Sequence, residues 1–350
     1  MLQKGSSRGM KIGILTFHKG INAGGFLQAK GLSEYLGSLG HEVELIDYVS
    51  EAQKKSDHDS IYRTRHPVRR WNNVRKLRRY ELAFQRLRVG PAVKGADEIV
   101  AQDYDQVVFG SDEIWNICNP FSGGDLIYFG KGMSGVKKLS YAPSFGSTEA
   151  DHPDLPEIKP LLEDFDTISV RDENSAEIIE RILGEAPEIV VDPVLLSDRD
   201  SPISHSKTKG RIGLYLMSPS GDDVRRIKNF AARRKQQLCS IGYHYSWAHK
   251  NIAAVEPDEV PGLLAGCSTV ITNTFHGVVF SLKNRMPFVV MDHPAKSRKI
   301  DTFRRRLQLA TVFEDSREIS DSEINRIGDQ NPSLDEWIHS SKQVLEDYFG

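Results

Sequence analysis

The feature that most constrains the fold is a repeated alternation. Short apolar runs, too brief to be buried helices, lead into turns rich in glycine, serine or aspartate. These turns lead into stretches with apolar residues at helical spacing. "KIGILTF" (11–17) is the first such run and predicts a buried strand, followed by the loop "HKGINAGG". Leu32, Leu36 and Leu39 then fall at i, i+4 and i+7, and Gly40 supplies a helix stop before a second strand, "EVELIDY" (42–48). Such a unit requires a parallel sheet with helices on its faces. The pattern returns in "DQVVFGSD" (105–112), "KKLSYAPSFG" (137–146), "DTISVRD" (166–172), a helix "ENSAEIIERILG" closed by Gly184, and a strand in "PEIVVDPVLL" (187–196). After a polar linker (197–210), a second series begins with the strand "RIGLYLM" from 211, a helix over 222–237 and the strand "LCSIGY". It continues with a helix over 256–266, a strand at 269–272, a helix over 276–285, the strand "PFVVMD" (287–292) and a helix over 297–308. A final helix over 334–349 is expected to pack back onto a domain. At 350 residues the chain exceeds one ordinary core. The expectation is an α/β fold of two Rossmann-like domains, 10–196 and 205–330, facing a cleft, with 331–350 returning.

Residues 51–100 break the alternation. Ten Lys or Arg lie between Arg63 and Arg88, so the segment reads as a basic helical insertion. One reading is a solvated surface; the other is a contact with an anionic polymer or with phospholipid or lipid-diphosphate head groups. Trp71 and Tyr80 suit either packing or an interface. A net charge of −2 excludes a globally basic nucleic-acid binder. Cys118, Cys239 and Cys267 are far apart and form no CxxC pair, which argues against a disulfide framework or a zinc site and for a reducing compartment. The regular pattern begins at Lys11, so the first nine residues read as an extension. No apolar run reaches the roughly 18 residues of a membrane span, and no signal-peptide pattern is present. The expected location is the cytoplasm, with the inner face of the membrane as the place of any peripheral contact through 63–88.

In open α/β sheets, ligands bind beyond the carboxyl ends of the strands, and four stretches occupy such ends. "HKGINAGGFLQ" (18–28) offers Asn22, Gly24, Gly25 and Gln28 before a helix whose N-terminus favours an anion. It contains neither G-x-G-x-x-G nor G-K-[ST], so dinucleotide and P-loop readings fall. "FGSDEIWN" (109–116) offers Ser111 and Asp112, with Asp112 also able to cap a following helix and Trp115 to serve as packing anchor or sugar platform. In "SVRDENS" (169–175), Arg171 directly follows an apolar strand; it either grips an anion or pairs with Asp172 or Glu173. In "STVITNTFHGVVFSLKN" (268–284), Asn273, Thr274, His276 and Gly277 stand where a strand meets a helix. Backbone N–H groups from Thr274 to Gly277 are candidates to receive a phosphate or carboxylate. His276 beside such an anion would be held protonated and serve as a general acid; otherwise it packs in the turn. Lys296 and Arg298 in "HPAKSRKID" (293–301) precede another helix and are candidates for the same anion.

The ordered set "KIGILTFHKGINAGGFLQAKGLSEYLGSLGHEVELIDY", "VVFGSDEIWN", "LSYAPSFG", "ISVRDENS", "VVDPVLL" and "VITNTFHGVVFSLKNRMPFVV" resembles the polysaccharide pyruvyl transferase family from about 11 to about 310. The resemblance implies a fold like that of GT-B glycosyltransferases. It also implies transfer of a pyruvyl group from phosphoenolpyruvate to two hydroxyls of a glycan acceptor, lipid-linked or otherwise, forming a cyclic ketal and releasing phosphate. No cofactor or metal is implied. His276 matches the family's acid and Arg171 its donor-binding arginine. Members often carry arginine where this chain has Thr274, and Lys296 or Arg298 is expected to supply the missing charge. The alternative within the same fold is a glycosyltransferase with a sugar-nucleotide donor, and a two-lobed binding protein is the reading from a different class.

Overall fold

The computed structural model describes residues 9–64, 67–119, 121, 124–197, 207–291, 297–313, 316, 318–328 and 331–349. Two parallel sheets form. The first contains β1 (Lys11–Leu15), β2 (Glu42–Tyr48), β3 (Val89–Val93), β4 (Gln106–Phe109), β5 (Lys137–Ser140), β6 (Thr167–Val170) and β7 (Glu188–Ile189), in the order β3-β2-β1-β4-β5-β6-β7. The second contains β8 (Ile212–Tyr215), β9 (Leu238–Ile241), β10 (Lys250–Ile252), β11 (Thr269–Thr272), β12 (Phe288–Met291) and β13 (Thr311–Val312), in the order β10-β9-β8-β11-β12-β13. Every strand pair is parallel, so the two-sheet α/β architecture expected from the alternation is present.

The strands read as continuous apolar runs because both faces are covered. Ile12 and Ile14 point into one apolar core and Leu15 into another, while Val108 is separated in the same way from Val107 and Phe109. In the second sheet, Phe288 and Val290 face one core, and Val289 and Met291 the opposite one. The core on the inner side is shared: it joins Ile12 and Ile14 to Val270, Val278, Phe303 and Trp337. Its largest members are fully buried, and each contributes roughly 1.5–3 kcal/mol from area removed from water.

Two devices tie the sheets together. The last helix, α11 (Pro332–Phe349), follows the second sheet in sequence but docks on the first. Its Trp337 Nε1 donates to the Ile189 carbonyl (2.8 Å), and its Ser341 Oγ accepts from the Val191 amide (2.9 Å). Trp337 also packs on Phe303 of α10 (Ser297–Leu307). The second device is the 51–100 segment, which is not uniformly helical. It comprises α2 (Glu51–Tyr62), α3 (Pro67–Phe84), the edge strand β3 and α4 (Ala96–Val100). β3 contains Pro91, which an edge strand tolerates because its N–H is not needed for a ladder on both sides. From α3, Lys76 Nζ donates to the Gly242 carbonyl (3.2 Å), and Arg79 pairs with Glu259 (3.7 Å). Just beyond it, Arg86 pairs with Glu256 (2.8 Å) and Asp258 (3.1 Å). α3 thus straps the two sheets together across the mouth of the cleft.

Two expected elements differ. No helix follows Asp112: residues 111–119 turn irregularly, Asp112 has φ +79°, and it bridges to Pro143. In "PEIVVDPVLL", only Glu188–Ile189 pairs as strand; Asp192 then caps a short 3-10 turn, Pro193–Leu195, by accepting from the Val194 amide (3.0 Å). That turn packs beneath α1 (Ala23–Ser38), where a Cβ at Gly31 would run into the Pro193 carbonyl.

Candidate active site

The carboxyl ends of both sheets open onto one cleft of about 920 Å³. His276, Arg171, Thr274, Asn22 and Asp112 line it, as do Lys299, Glu113, Lys76, Asp57, Tyr243, Tyr245 and Trp247.

His276 sits in the first turn of α9 (Phe275–Lys283). The approach is built by threonines. Thr272 Oγ1 donates to the Tyr215 carbonyl (2.7 Å) and accepts from the Thr274 amide (3.1 Å), and Thr274 Oγ1 caps the helix by accepting from the Gly277 amide (3.0 Å). The Thr272 and Thr274 hydroxyls occupy the space a Cβ at position 277 would need, which explains the glycine after the histidine. This corrects the expected anion nest: the Thr274 and Gly277 amides are already engaged, leaving those of Phe275 and His276 as the donors of that turn. Asn273 does not face the cleft either. Its side chain accepts from the Met217 amide (2.8 Å) and donates to the Met217 carbonyl (2.9 Å), clamping the loop after β8.

From the other sheet, Arg171 extends beyond β6 and is almost fully buried. Its partner is Asp192 (3.3 Å), not Asp172 or Glu173, and its guanidinium lies 4.1 Å from the centroid of the Phe275 ring. Asp172 instead caps α6 (Glu173–Leu183), accepting from Ser175 and Ser144. Burial opposes the charge on Arg171, but Asp192, Asp112, Asp172 and Glu113 together raise its pKa.

Asp192 is the hub. Its Oδ2 accepts from Gln28 Nε2 (2.5 Å) and from Arg171, and it lies 3.9 Å from His276 Nε2, beyond hydrogen-bond reach. Gln28 also donates to Ser111 Oγ (3.0 Å), which in turn donates to the Ala142 carbonyl (3.0 Å). Gln28 and Ser111 are fully buried behind the wall, so both are positioning residues rather than cleft contacts. Gly24 and Gly25 are buried too. A Cβ at Gly24 would overlap the His276 ring, whereas Asn22 caps the same helix by accepting from the Gly24 amide (3.0 Å). The starts of α1 and α9, one from each half of the chain, therefore abut at this pair. Gly24→Ala is expected to lower turnover by pushing the ring off its position while leaving the thermal midpoint within a few degrees. Steady-state kinetics beside a melting curve checks this.

Burial lowers the His276 pKa, with Asp192 and Asp112 acting in the opposite direction and Arg171 reinforcing it. Burial thus favours the neutral imidazole. His276 Nε2 and Arg171 Nε are both buried, and neither has a hydrogen-bond partner among the described residues.

A further cation is Lys299 of α10, ion-paired to Glu113, which also accepts from Asn116 Nδ2 (2.9 Å). Burial disfavours ionised Glu113, but Lys299 and Arg171 prevail and hold its pKa below the ordinary value. Lys296, singled out in the same stretch, lies outside the described residues, as does the Arg298 side chain. Trp115 is a packing anchor: it is fully buried, stacked on Phe129, and donates to the Tyr128 carbonyl (2.9 Å). Among the described residues, no group of three His, Cys, Asp or Glu side chains is disposed to hold a metal, and no helix is long and apolar enough to cross a membrane.

Two doubly wound parallel sheets that share a cleft at their carboxyl ends, with ionisable side chains converging from both, define a GT-B-like α/β protein. Its family follows from sequence: the chain belongs to the polysaccharide pyruvyl transferase family, whose model matches residues 22–294. The family is one of transferases acting on polysaccharide. No curated protein matches the sequence. Among solved structures, the chain is similar to the glycosyltransferase SnogD from Streptomyces nogalater, at 12% identity over 97% of this chain and 95% of that one, with TM-score 0.47. It is also similar to UDP-GlcNAc 2-epimerase from Methanocaldococcus jannaschii, at 9% identity over 97% and 99%, with TM-score 0.49.

Proposed function

We propose that the protein transfers the pyruvyl group of phosphoenolpyruvate to two hydroxyls of a sugar in a cell-surface or exported polysaccharide, or in its lipid-linked precursor. The observation that carries this reading is the convergence of His276 and Arg171 from opposite sheets on Asp192, each with a buried nitrogen lacking a partner among the described residues. Arg171 and Lys299 supply charge for the carboxylate and phosphate of the donor, and the free amides at the start of α9 add neutral donors. The incoming negative charge raises the His276 pKa, so donor binding takes up a proton. His276 gives that proton to the methylene carbon, which becomes a methyl group as an oxocarbenium-like centre forms at C2. One sugar hydroxyl adds to C2, the C2–O bond to phosphate breaks, and the second hydroxyl closes the ketal. Of the two hydroxyl protons, one restores His276 and the other leaves with phosphate.

The test incubates the protein with phosphoenolpyruvate and glycans ending in galactose, glucose, mannose or N-acetylmannosamine. Acceptor-dependent phosphate release with a mass gain of one ketal-linked pyruvate is expected. Release of a nucleotide from a sugar nucleotide, with phosphoenolpyruvate inert, would overturn the reading in favour of glycosyl transfer. Lys299→Ala is expected to weaken donor binding about 5-fold or more, within the range of charge-assisted hydrogen bonds.

The same proposal places the protein in the cytoplasm, at the inner membrane face. It also takes 10–196 and 205–330 as the two folding units. Support for the membrane contact comes from the outward side of α3, where Trp71, Val68 and Leu82 are exposed among exposed Arg70, Arg75 and Arg78. Arg75 lies over the Trp71 ring at 4.4 Å. Co-sedimentation with phosphatidylglycerol vesicles, lost in 0.5 M salt and in Arg70→Glu/Arg75→Glu/Arg78→Glu, is the expected result, and equal binding to phosphatidylcholine vesicles would refute it.

A further inference from the structure

The same cleft carries a second, differently built surface. After β9, alternate residues of "YHYSW" (243–247) place Tyr243, Tyr245 and Trp247 along the cleft wall. The Tyr243 and Tyr245 ring planes lie within 23° at 6.5 Å, and those of Tyr245 and Trp247 within 29° at 5.2 Å. This ledge is a row of stacked rings whose middle member, Tyr245, is buried, and it is fixed from behind. Tyr245 Oη donates to the Leu216 carbonyl (2.8 Å), and the Asn251 side chain accepts from the Tyr245 amide (2.8 Å) and donates to its carbonyl (3.0 Å). Tyr243 packs edge-on against Tyr215, with the Lys76 ammonium 5.2 Å from its ring centroid.

Other walls of the same cleft carry polar groups from α2 and α3. Asn73 Nδ2 donates to the Ser60 carbonyl (3.1 Å), which ties the two helices together. Asp57 of α2 is half-buried, and among the described residues its carboxylate has neither a hydrogen-bond nor an ion-pair partner. Gly20, at φ +104°, leaves open the space beside that carboxylate where a Cβ would crowd it. The other carboxylates on the described wall are engaged: Asp112 accepts from the Glu113 amide (2.9 Å), and Glu113 is paired with Lys299. Burial without a partner pushes the Asp57 pKa to about 6. An acceptor-only group left without donors in a cleft is completed by a ligand that brings O–H groups.

We infer that this surface is the subsite for a pyranose ring of the acceptor, with the ring's C–H face against the half-buried Tyr243 and Trp247 and its hydroxyls donating to Asp57. The inference rests on the proposed pyruvyl transfer for why a sugar is there, and the geometry supplies where it sits. An aromatic wall with a polar acceptor in the same cavity matches a pyranose, which has an apolar C–H face and a rim of donors.

The test is saturation-transfer NMR on the full chain with the methyl glycosides of galactose, glucose, mannose and N-acetylmannosamine, with phosphoenolpyruvate binding measured separately by calorimetry. At least one glycoside is expected to show transfer to its ring protons. Trp247→Ala and the isosteric Asp57→Asn are each expected to weaken it about 5-fold or more, with phosphoenolpyruvate affinity and the circular-dichroism melting curve unchanged. The subsite assignment is overturned if no glycoside binds, if binding survives both substitutions, or if uridine diphosphate displaces the glycoside. A wild-type protein that binds a glycoside at this ledge but never binds phosphoenolpyruvate would sink the proposed donor while leaving the subsite standing.

Discussion

Replacing His276 with glutamine is expected to lower pyruvyl transfer by roughly 10²–10⁴-fold, the range lost when a positioned general acid is removed. Phosphoenolpyruvate affinity should change only a few-fold. Glutamine fits the ring's space against Gly24 and retains a donor, so loss of turnover without loss of binding isolates the proton transfer. Wild-type protein should take up a proton when it binds phosphoenolpyruvate near pH 7, read as a calorimetric enthalpy that varies with buffer ionisation enthalpy, and His276→Gln should not. The same shift acts on stability. Burial holds the folded-state pKa of His276 below its ordinary value of 6.5, so below that pH the unfolded chain binds the proton more readily than the folded one. The contribution is intact above pH 6.5 and is lost as the pH falls toward the folded-state pKa. Urea midpoints across that window should therefore decline less steeply in His276→Gln. Full turnover in His276→Gln would remove the catalytic assignment.

Arg171→Leu is expected to cost about 3–5 kcal/mol of stability, because it leaves Asp192 as a buried charge with only Gln28 and one amide to satisfy it. It should also abolish donor binding. The two effects separate in the double variant Arg171→Leu/Asp192→Asn, where the stranded charge is gone: most of the stability should return while activity should not. Urea unfolding and phosphoenolpyruvate titration of the single and double variants check this. If the double variant is no more stable than Arg171→Leu, the buried pair does not account for the loss.

The sheets were legible because every central strand is buried on both faces and must be apolar throughout. β3 was not, since Pro91 and the flanking charge of 63–88 resemble a breaker in a solvated insertion, and only its place at the sheet edge makes the strand tolerable. The site divides in the same way. His276 and Arg171 stand directly beyond apolar strands, so local sequence puts them at the cleft. Asp192 also follows a strand, but its role lies in partners 164 and 21 residues away, which no local pattern reveals. Lys299 was missed because neighbouring basic residues on a helix point in different directions, and which one faces the cleft depends on how α10 packs. Asn273 and Ser111 looked like ligand contacts because they are polar at strand ends, and Gln28 because it lies near the start of the helix after β1. Their side-chain donors are engaged by the Met217 carbonyl, Asp192 and the Ala142 carbonyl. Tyr243, Tyr245 and Trp247 did carry a readable signal, aromatic residues at every second position after a strand.

The strap across the cleft is fastened by charges that water can reach. Arg86 and Arg79 meet Glu256, Asp258 and Glu259 across the gap, Lys30 meets Asp258 at 2.7 Å, and these side chains remain partly exposed. At 0.15 M ionic strength the screening length is about 8 Å, and at 1 M about 3 Å. Ionic strength thus acts as a dial on how firmly the two halves hold their mutual spacing. Kinetics recorded in dilute buffer describe a tighter molecule than those recorded in concentrated salt, even where no lipid is present.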